Sequence, residues 1–343
     1  MQKICLVFLA DESLDCSTIF EQAFKEAGFS VETVRVPNRL IHLLNREYVN
    51  KLRALLKEKS RDRFLIFSPQ STELFLEEAD FTIVYSAYQS WFDEKKMRVI
   101  PHLWTPIKPP QNVDYLTWTS KPPLRIGFMG RDYTNSRLTN IVLKSPPRLK
   151  QWLLRGFYLH HADLLILMNR CGISAGAINT FARIETMNAL KANRDKFSDV
   201  QLDIVEKQRF GGSEQELNEF INHLERNTYI LCPRGTENYS YRIYETLGRG
   251  RIPVIIDTDI VLPKEINWDY LSVRVPYESL DEIYEIILRD YKSRSGPEFI
   301  ARQKEAFSSM AQLQTMSWVK DIANDLHLRR MSTGNRKLQL SNL

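Results

Sequence analysis

Cysteine is scarce in this sequence and never paired. Four residues, Cys5, Cys16, Cys171 and Cys232, are spread over 343, with no C-x-x-C and no zinc-ligand spacing. That pattern excludes a disulfide framework and a structural zinc site, and it predicts a reduced protein in which Cys5 and Cys232 act as small buried hydrophobes. Long apolar runs are missing too. The run Ile4 to Ala10 is closed by Asp11 and Glu12, which is too short for a secretory leader and has no small-residue cleavage site. Nowhere does a stretch approach the ~20 apolar residues of a spanning helix. These absences lead to the expectation of a cytoplasmic protein. Excess charge of one sign is also small, 47 Lys and Arg against 42 Asp and Glu. Such a surplus suits anionic ligands or brief contact with an acidic membrane surface and falls short of the concentrated basic face of a nucleic-acid binder. The sequence holds no internal repeat and no low-complexity tract.

What is present is ordinary globular material, 43% hydrophobic and 26% charged, in a chain longer than one core usually serves. Two domains are therefore expected. Strand-like runs occur at Ile4–Leu9, Val31–Val36, Phe64–Phe67, Phe81–Tyr85 and Arg98–Ile100, with helical periodicity at Ser17–Ala27 and Leu40–Lys59. Asn112–Pro123 reads as a linker. The rhythm restarts at Leu124–Gly130 and continues through Gln201–Val205, Tyr229–Cys232, Ile252–Ile256 and Leu271–Val275. Helices are expected at Trp152–Met168, Glu214–Arg226, Tyr241–Gly248, Leu280–Arg294 and Pro297–Asp325. Strands alternating with helices give parallel sheets covered on both faces. The fold class is thus α/β, with two Rossmann-like doubly wound domains facing across a cleft. Residues 1–118 form the first domain, 119–300 the second, 301–327 a helix crossing back to the first, and 328–343 a basic flexible tail.

The densest chemistry lies between Asn227 and Val275. A strand ends in Pro233-Arg234-Gly235, a polar loop follows, and Ser240 is placed to cap a helix from Tyr241 to Leu247. Strand, loop and helix aim backbone N–H groups and a positive helix end at the carboxyl edge of the sheet, where phosphate binds well. Arg234 and Arg242 add guanidinium forks suited to a diphosphate. Glu245 is placed to accept hydrogen bonds from ribose hydroxyls. Tyr229, Tyr239, Tyr241 and Tyr244 form an aromatic group that either packs in the core or stacks on a base or sugar.

These words, CPRG, then YSYRIYETLGRGRIPVII, then VLPKEINWDYLSVRVP, resemble the donor-binding half of exostosin-family glycosyltransferases. KPPLRIGFMGRDYTNSRL at 121–138 is similar to the same family, and ADFTIVYSAY at 79–88 more distantly so. The resemblance implies a GT-B architecture and an inverting transfer from a nucleotide sugar, UDP-linked in expectation, with no cofactor and no metal. It places Arg234, Gly235, Ser240, Tyr241, Arg242 and Glu245 at the donor, with Arg137 as a further diphosphate contact. It implies that 119–300 binds the nucleotide sugar, with 1–118 on the acceptor side, and that the acceptor is an oligosaccharide, polysaccharide or lipid-linked glycan. The basic tail is expected to make at most peripheral contact at the inner face of a membrane.

Other readings stand beside these. Arg242, Glu245 and Arg249 are spaced as a solvated salt-bridge ladder. Asp257-Thr258-Asp259 has the Asp-x-Asp form of a metal-dependent GT-A transferase. A non-catalytic two-lobed protein that only binds nucleotide sugars is a third possibility. His160 and His161 point about 100° apart on any helix and make a poor metal pair. An inverting transfer also needs a base from the first domain. Asp11 and Glu12, at the carboxyl end of the first strand, are the candidates, with His102 and Asp132 behind them.

Overall fold

Each strand expected from an apolar run is present, with ends moved by two residues at most. The computed structural model describes residues 2–10, 17–37, 63–67, 81–100, 118–131, 137–155, 180–196, 200–207, 213–235, 238–314 and 319–326, and positions 50, 54, 57 and 167. The first lobe contains β1 (Gln2–Ala10), α1 (Ser17–Glu26), β2 (Phe29–Pro37), β3 (Arg63–Phe67), β4 (Phe81–Val84) and β5 (Met97–Val99). Its five strands are parallel, in the order β2-β1-β3-β4-β5.

The second lobe opens with β6 (Arg125–Arg131), α2 (Arg137–Leu143), α3 (Pro147–Leu154), α4 (Phe181–Asn193) and β7 (Gln201–Lys207). It continues through α5 (Glu214–Arg226), β8 (Tyr229–Cys232), α6 (Tyr241–Gly248), β9 (Ile252–Asp257), α7 (Trp268–Leu271), β10 (Val273–Pro276) and α8 (Ile283–Lys292). Its sheet is also parallel, ordered β10-β9-β8-β6-β7. From β6 the chain steps outward to β7. It then returns to the other side of β6 and runs through β8, β9 and β10, so the direction of winding reverses between β6 and β8. Side chains alternate accordingly. Ile126, Phe128, Leu231 and Val254 face one core with Met187 and Leu190 of α4 and Ile283 and Ile287 of α8. Met129, Ile230, Cys232 and Ile255 face the other, with Phe220 of α5, Ile243 and Leu247 of α6 and Leu271 of α7. Burial on both faces is what selects unbroken apolar strands rather than alternating ones.

Three expected helices are redrawn. Of Trp152–Met168, residues 152–154 are the last turn of α3, which Pro147 starts and Arg155 caps; positions 156–166 lie outside the described residues. The Leu280–Arg294 helix begins as a 3-10 turn over Tyr277–Glu282, with Ser279 outside helical geometry, and becomes α-helical at Ile283. The helix α9 runs Gly296–Gln314, and a further helical stretch covers 319–326. Ala306, Met310 and Leu313 of α9 join the same apolar cluster as Val319, Ile322 and Ala323 and as Phe20 and Phe24 of α1. Lys320 pairs with Glu26 at 2.5 Å, so the 319–326 segment sits beside the first helix of the first lobe. The Leu40–Lys59 stretch, apart from the helical positions 50, 54 and 57, and the tail from 327 onward lie outside the described residues.

The lobes meet along the carboxyl edges of their sheets. The segment after β4 forms an antiparallel bridge, Tyr88 to Ile260, with the loop after β9. The Gln89 N–H donates to the Asp259 carbonyl at 2.8 Å, and Val261 N–H to the Ala87 carbonyl at 3.1 Å.

Candidate functional site

The reversal of winding between β6 and β8 marks the place where an open α/β sheet leaves a crevice for a ligand. Gly130 is the penultimate residue of β6 there, and α6 begins beside it. A methyl group added at Gly130 would lie 3.2 Å from Nη2 of Arg242 and 2.5 Å from the Phe128 ring. A side chain here would displace the Phe128 ring and crowd the arginine. The Arg242 guanidinium lies over Phe128 at 4.9 Å and over Phe220 at 5.6 Å. Such aromatic shelves hold a guanidinium in place through cation–π attraction. Arg183 of α4 approaches the same Phe128 ring at 6.0 Å and donates from Nη2 to the Arg234 carbonyl at 3.3 Å. Two cations from different helices therefore share one aromatic platform at the end of β6.

Arg234 leaves the end of β8 in another direction. It is 2% exposed, donating to the Tyr88 hydroxyl at 2.7 Å and to the Leu154 carbonyl at 3.3 Å. Its charge is thus turned toward the first lobe, over the Tyr88 ring at 5.3 Å. The Gly235 N–H closes the following loop onto the Tyr239 carbonyl at 3.1 Å. Asn238, fully buried, ties that loop to both lobes. Its N–H donates to Ser86 Oγ at 3.1 Å. Its amide donates to the Ala87 carbonyl at 3.0 Å and the Asp259 carbonyl at 3.1 Å. Thr258 Oγ1 donates back to its oxygen at 2.7 Å.

Ser240 occupies the cap position of α6 in extended geometry, but its hydroxyl makes no capping bond. Tyr241 is 41% exposed and packs edge-on against the buried Tyr239 at 5.3 Å. Tyr229 and Tyr244 are core residues, with Tyr229 donating to Asp290 at 2.8 Å and Tyr244 edge-on to Trp268. Glu245 is buried, and desolvation pushes its carboxyl up to about 7 against the opposing pull of Arg242 and Arg249. Arg249 pairs with Glu225 at 3.3 Å, so the α6 charges are not a surface ladder. The neighbouring Cys232 thiol is pushed up to about 12 by its complete burial and is an inert core group.

Asp257 accepts from Arg274 at 2.5 Å and from the Ile260 N–H at 3.2 Å. Asp259, in a left-handed conformation with φ of 67°, accepts from the Ser90 N–H at 3.0 Å. These two carboxylates are engaged in holding the β9 loop and the lobe contact. Arg137 is the first residue of α2. Asp11, Glu12, His102, Asp132, His160 and His161 lie outside the described residues. Arg183 was missed because it sits in a stretch, 131–200, with no clear apolar rhythm. The aromatic Phe181 before it and the glycine-ended β6 were the available signals.

Comparison with known proteins bears on this same region. Residues 177–289 match the Exostosin GT47 domain. The exostosin match takes in Arg183, Arg234, Arg242 and Glu245, from α4 through most of α8. A probable glucuronosyltransferase of Oryza sativa subsp. japonica is 37% identical over 70 residues, covering 20% of this chain and 16% of that protein. The probable beta-1,4-xylosyltransferase IRX10 of Arabidopsis thaliana is 33% identical over 88 residues, covering 23% and 21%. The aligned stretch thus spans about a fifth of the length of these relatives. Among solved structures, OtsA in its apo form aligns over 95% of this chain and 99% of its own, at 11% identity and a TM-score of 0.42. The lipopolysaccharide glycosyltransferase WaaG aligns over 94% and 99%, at 12% identity and a TM-score of 0.35. Among the described residues the two sheets are parallel, doubly wound and joined at their carboxyl edges.

Proposed function

We propose that this protein is a glycosyltransferase that moves a sugar from a nucleoside diphosphate, UDP in expectation, to a hydroxyl of a glycan. The observation that carries the reading is the convergence of the exostosin match with two arginines, Arg183 and Arg242, at the end of β6 where the winding reverses. Oriented guanidinium groups in a partly buried site stabilise the charge that grows on a diphosphate as the glycosidic bond breaks, without reorganisation during the reaction. Arg242 and Arg183 take the diphosphate, with Arg234 completing the set once its contact with Tyr88 gives way. Glu245 orients the ribose. Transfer proceeds with inversion, the base coming from the first lobe at Asp11 or Glu12. It needs no metal, in keeping with the bonds that already occupy Asp257 and Asp259. The acceptor is an oligosaccharide, polysaccharide or lipid-linked glycan. The buried thiols of Cys5 and Cys232 fit work in the cytoplasm, with any membrane contact peripheral.

The test is release of nucleoside diphosphate from a panel of nucleotide sugars, run with and without EDTA and with product mass read by spectrometry. Release that survives the chelator is expected. Arg242→Ala should lower turnover about a hundredfold, the ~2–4 kcal/mol lost with one transition-state contact, while melting like the parent. No release from any donor, or wild-type turnover in the variant, would refute the assignment.

A further inference from the structure

Two hollows open on the side of the second lobe that carries α3 and α4, and they share a wall. One, of about 180 Å³, lies where the lobes meet, at the carboxyl ends of β9 and β10, between Gln89, Asp257 and Asp259. The other, of about 580 Å³, runs outward between α3, α4 and the 3-10 turn that follows β10. Gln151, Tyr277 and Glu278 line both. The two hollows thus adjoin along these three residues, one at the lobe junction and the other on the outer face of the second lobe. The larger hollow alone falls in the size range of ligand sites.

We propose that this passage is an extended track for the acceptor chain, taking several consecutive sugar residues that carry no charge. The proposal rests on the glycosyltransferase reading and specifies the substrate of that same cleft. Its floor is Tyr277 and the buried Leu280, an aromatic and an aliphatic surface on which the C–H face of a sugar ring lies well. Its rim is Gln151, Asn188 and Asp281, amide and carboxylate groups that together donate to and accept from hydroxyls. Charge decides the class of sugar. Arg155 lines only the inner hollow, and Lys150 is matched by Glu185 at 2.5 Å, which leaves the Glu278 and Asp281 carboxylates in excess along the outer one. A uronic-acid chain would be repelled there. A hydroxyl-rich neutral chain loses nothing to that field. The inner end lies beside the lobe junction, where the chain terminus would meet the donor, and the outer end is open, so a polymer could enter lengthwise.

Isothermal calorimetry on the full chain tests this with xylo-, cello- and manno-oligosaccharides of two to six units, and with galacturonate oligomers of the same lengths. Affinity should rise at least tenfold from dimer to tetramer in one of the neutral series, and the uronates should bind at least tenfold more weakly. Gln151 is exposed on α3, so Gln151→Trp narrows the shared wall without entering a core. It should reduce the longest oligomer to the affinity of the dimer while leaving UDP binding unchanged. Asn188→Trp, also on an exposed position of α4, should do the same farther out. The track is overturned if no neutral series binds, if affinity is independent of length, if uronates bind as well, or if both tryptophan variants keep wild-type affinity for the long oligomer. UDP binding, read separately, distinguishes such a failure from failure of the transferase reading, since that reading fails on the donor side first.

Discussion

Glu245 and Arg242 lie one helical turn apart on α6, yet burial treats them differently. The arginine rests on two aromatic rings, whereas the carboxyl is enclosed and pushed up to about 7. A carboxyl that holds its proton more tightly folded than unfolded contributes stability in full below its ordinary value of 4.5 and loses it as pH rises through 7. Glu245→Gln removes that dependence. The variant should therefore gain stability over the parent at pH 8, on the order of 3 kcal/mol, with the difference vanishing near pH 4.5. Urea denaturation at the two pH values reads this directly. Arg183 makes a second residue-scale prediction. Arg183→Ala should weaken UDP binding about tenfold or more, as loss of a charge-assisted hydrogen bond implies, and a fluorescence titration would show it. Arg242 was legible because a strand, a polar loop and a helix stand in order around it. Arg183 was not. Its helix buries Arg183 and Thr186 along with Phe181 and Met187, so polar residues interrupt the apolar stripe by which helices are recognised.

Among the elements that sequence read to the residue, with β8 and α6, is α5, Glu214–Arg226. It has a capping box, Ser213 Oγ accepting from Glu216 N–H at 3.3 Å while the Glu216 carboxylate accepts from Ser213 N–H at 3.3 Å. Ser213→Ala should cost about 1 kcal/mol, visible in thermal melts. The same helix carries the fully buried His223, whose ring faces the Asp203 carbonyl at 2.9 Å and the Asp203 carboxylate at 3.5 Å. Arg226 and Arg242 oppose protonation, but burial is the larger cause, and together they hold the imidazole below its ordinary 6.5 despite Asp203. A base held neutral in the fold costs stability once the unfolded chain can protonate. Melting temperature should thus fall as pH drops below about 6.5, and His223→Gln should flatten that part of the curve. The strands were legible for a related reason. Parallel strands buried on both faces are plain apolar runs, while the 3-10 turn at Tyr277–Glu282 follows from Ser279 and the chain's exit from β10, which leave no periodic trace.

At the scale of the whole molecule, one buried amide stands at the centre of the bonds that tie the lobes together. Asn238 makes four hydrogen bonds, two to groups of the first lobe and two to the loop after β9. Asn238→Ala leaves those partners buried and unmet, costing about 2–3 kcal/mol. The lobes should then separate more readily, which small-angle scattering would register as a larger radius of gyration. None of this was readable beforehand, because Ser86 and Asn238 are brought together by the fold and share no local pattern. The stretch 319–326 carries a consequence for biosynthesis. It sits beside α1 through Lys320 and Glu26 and shares a cluster with Phe20 and Phe24. On the ribosome α1 emerges early and that partner only after almost 300 further residues, roughly 15–60 s later at usual elongation rates. For that interval the first lobe waits with a sticky helix uncovered, so chaperone demand should be greatest before the 319–326 stretch leaves the exit tunnel.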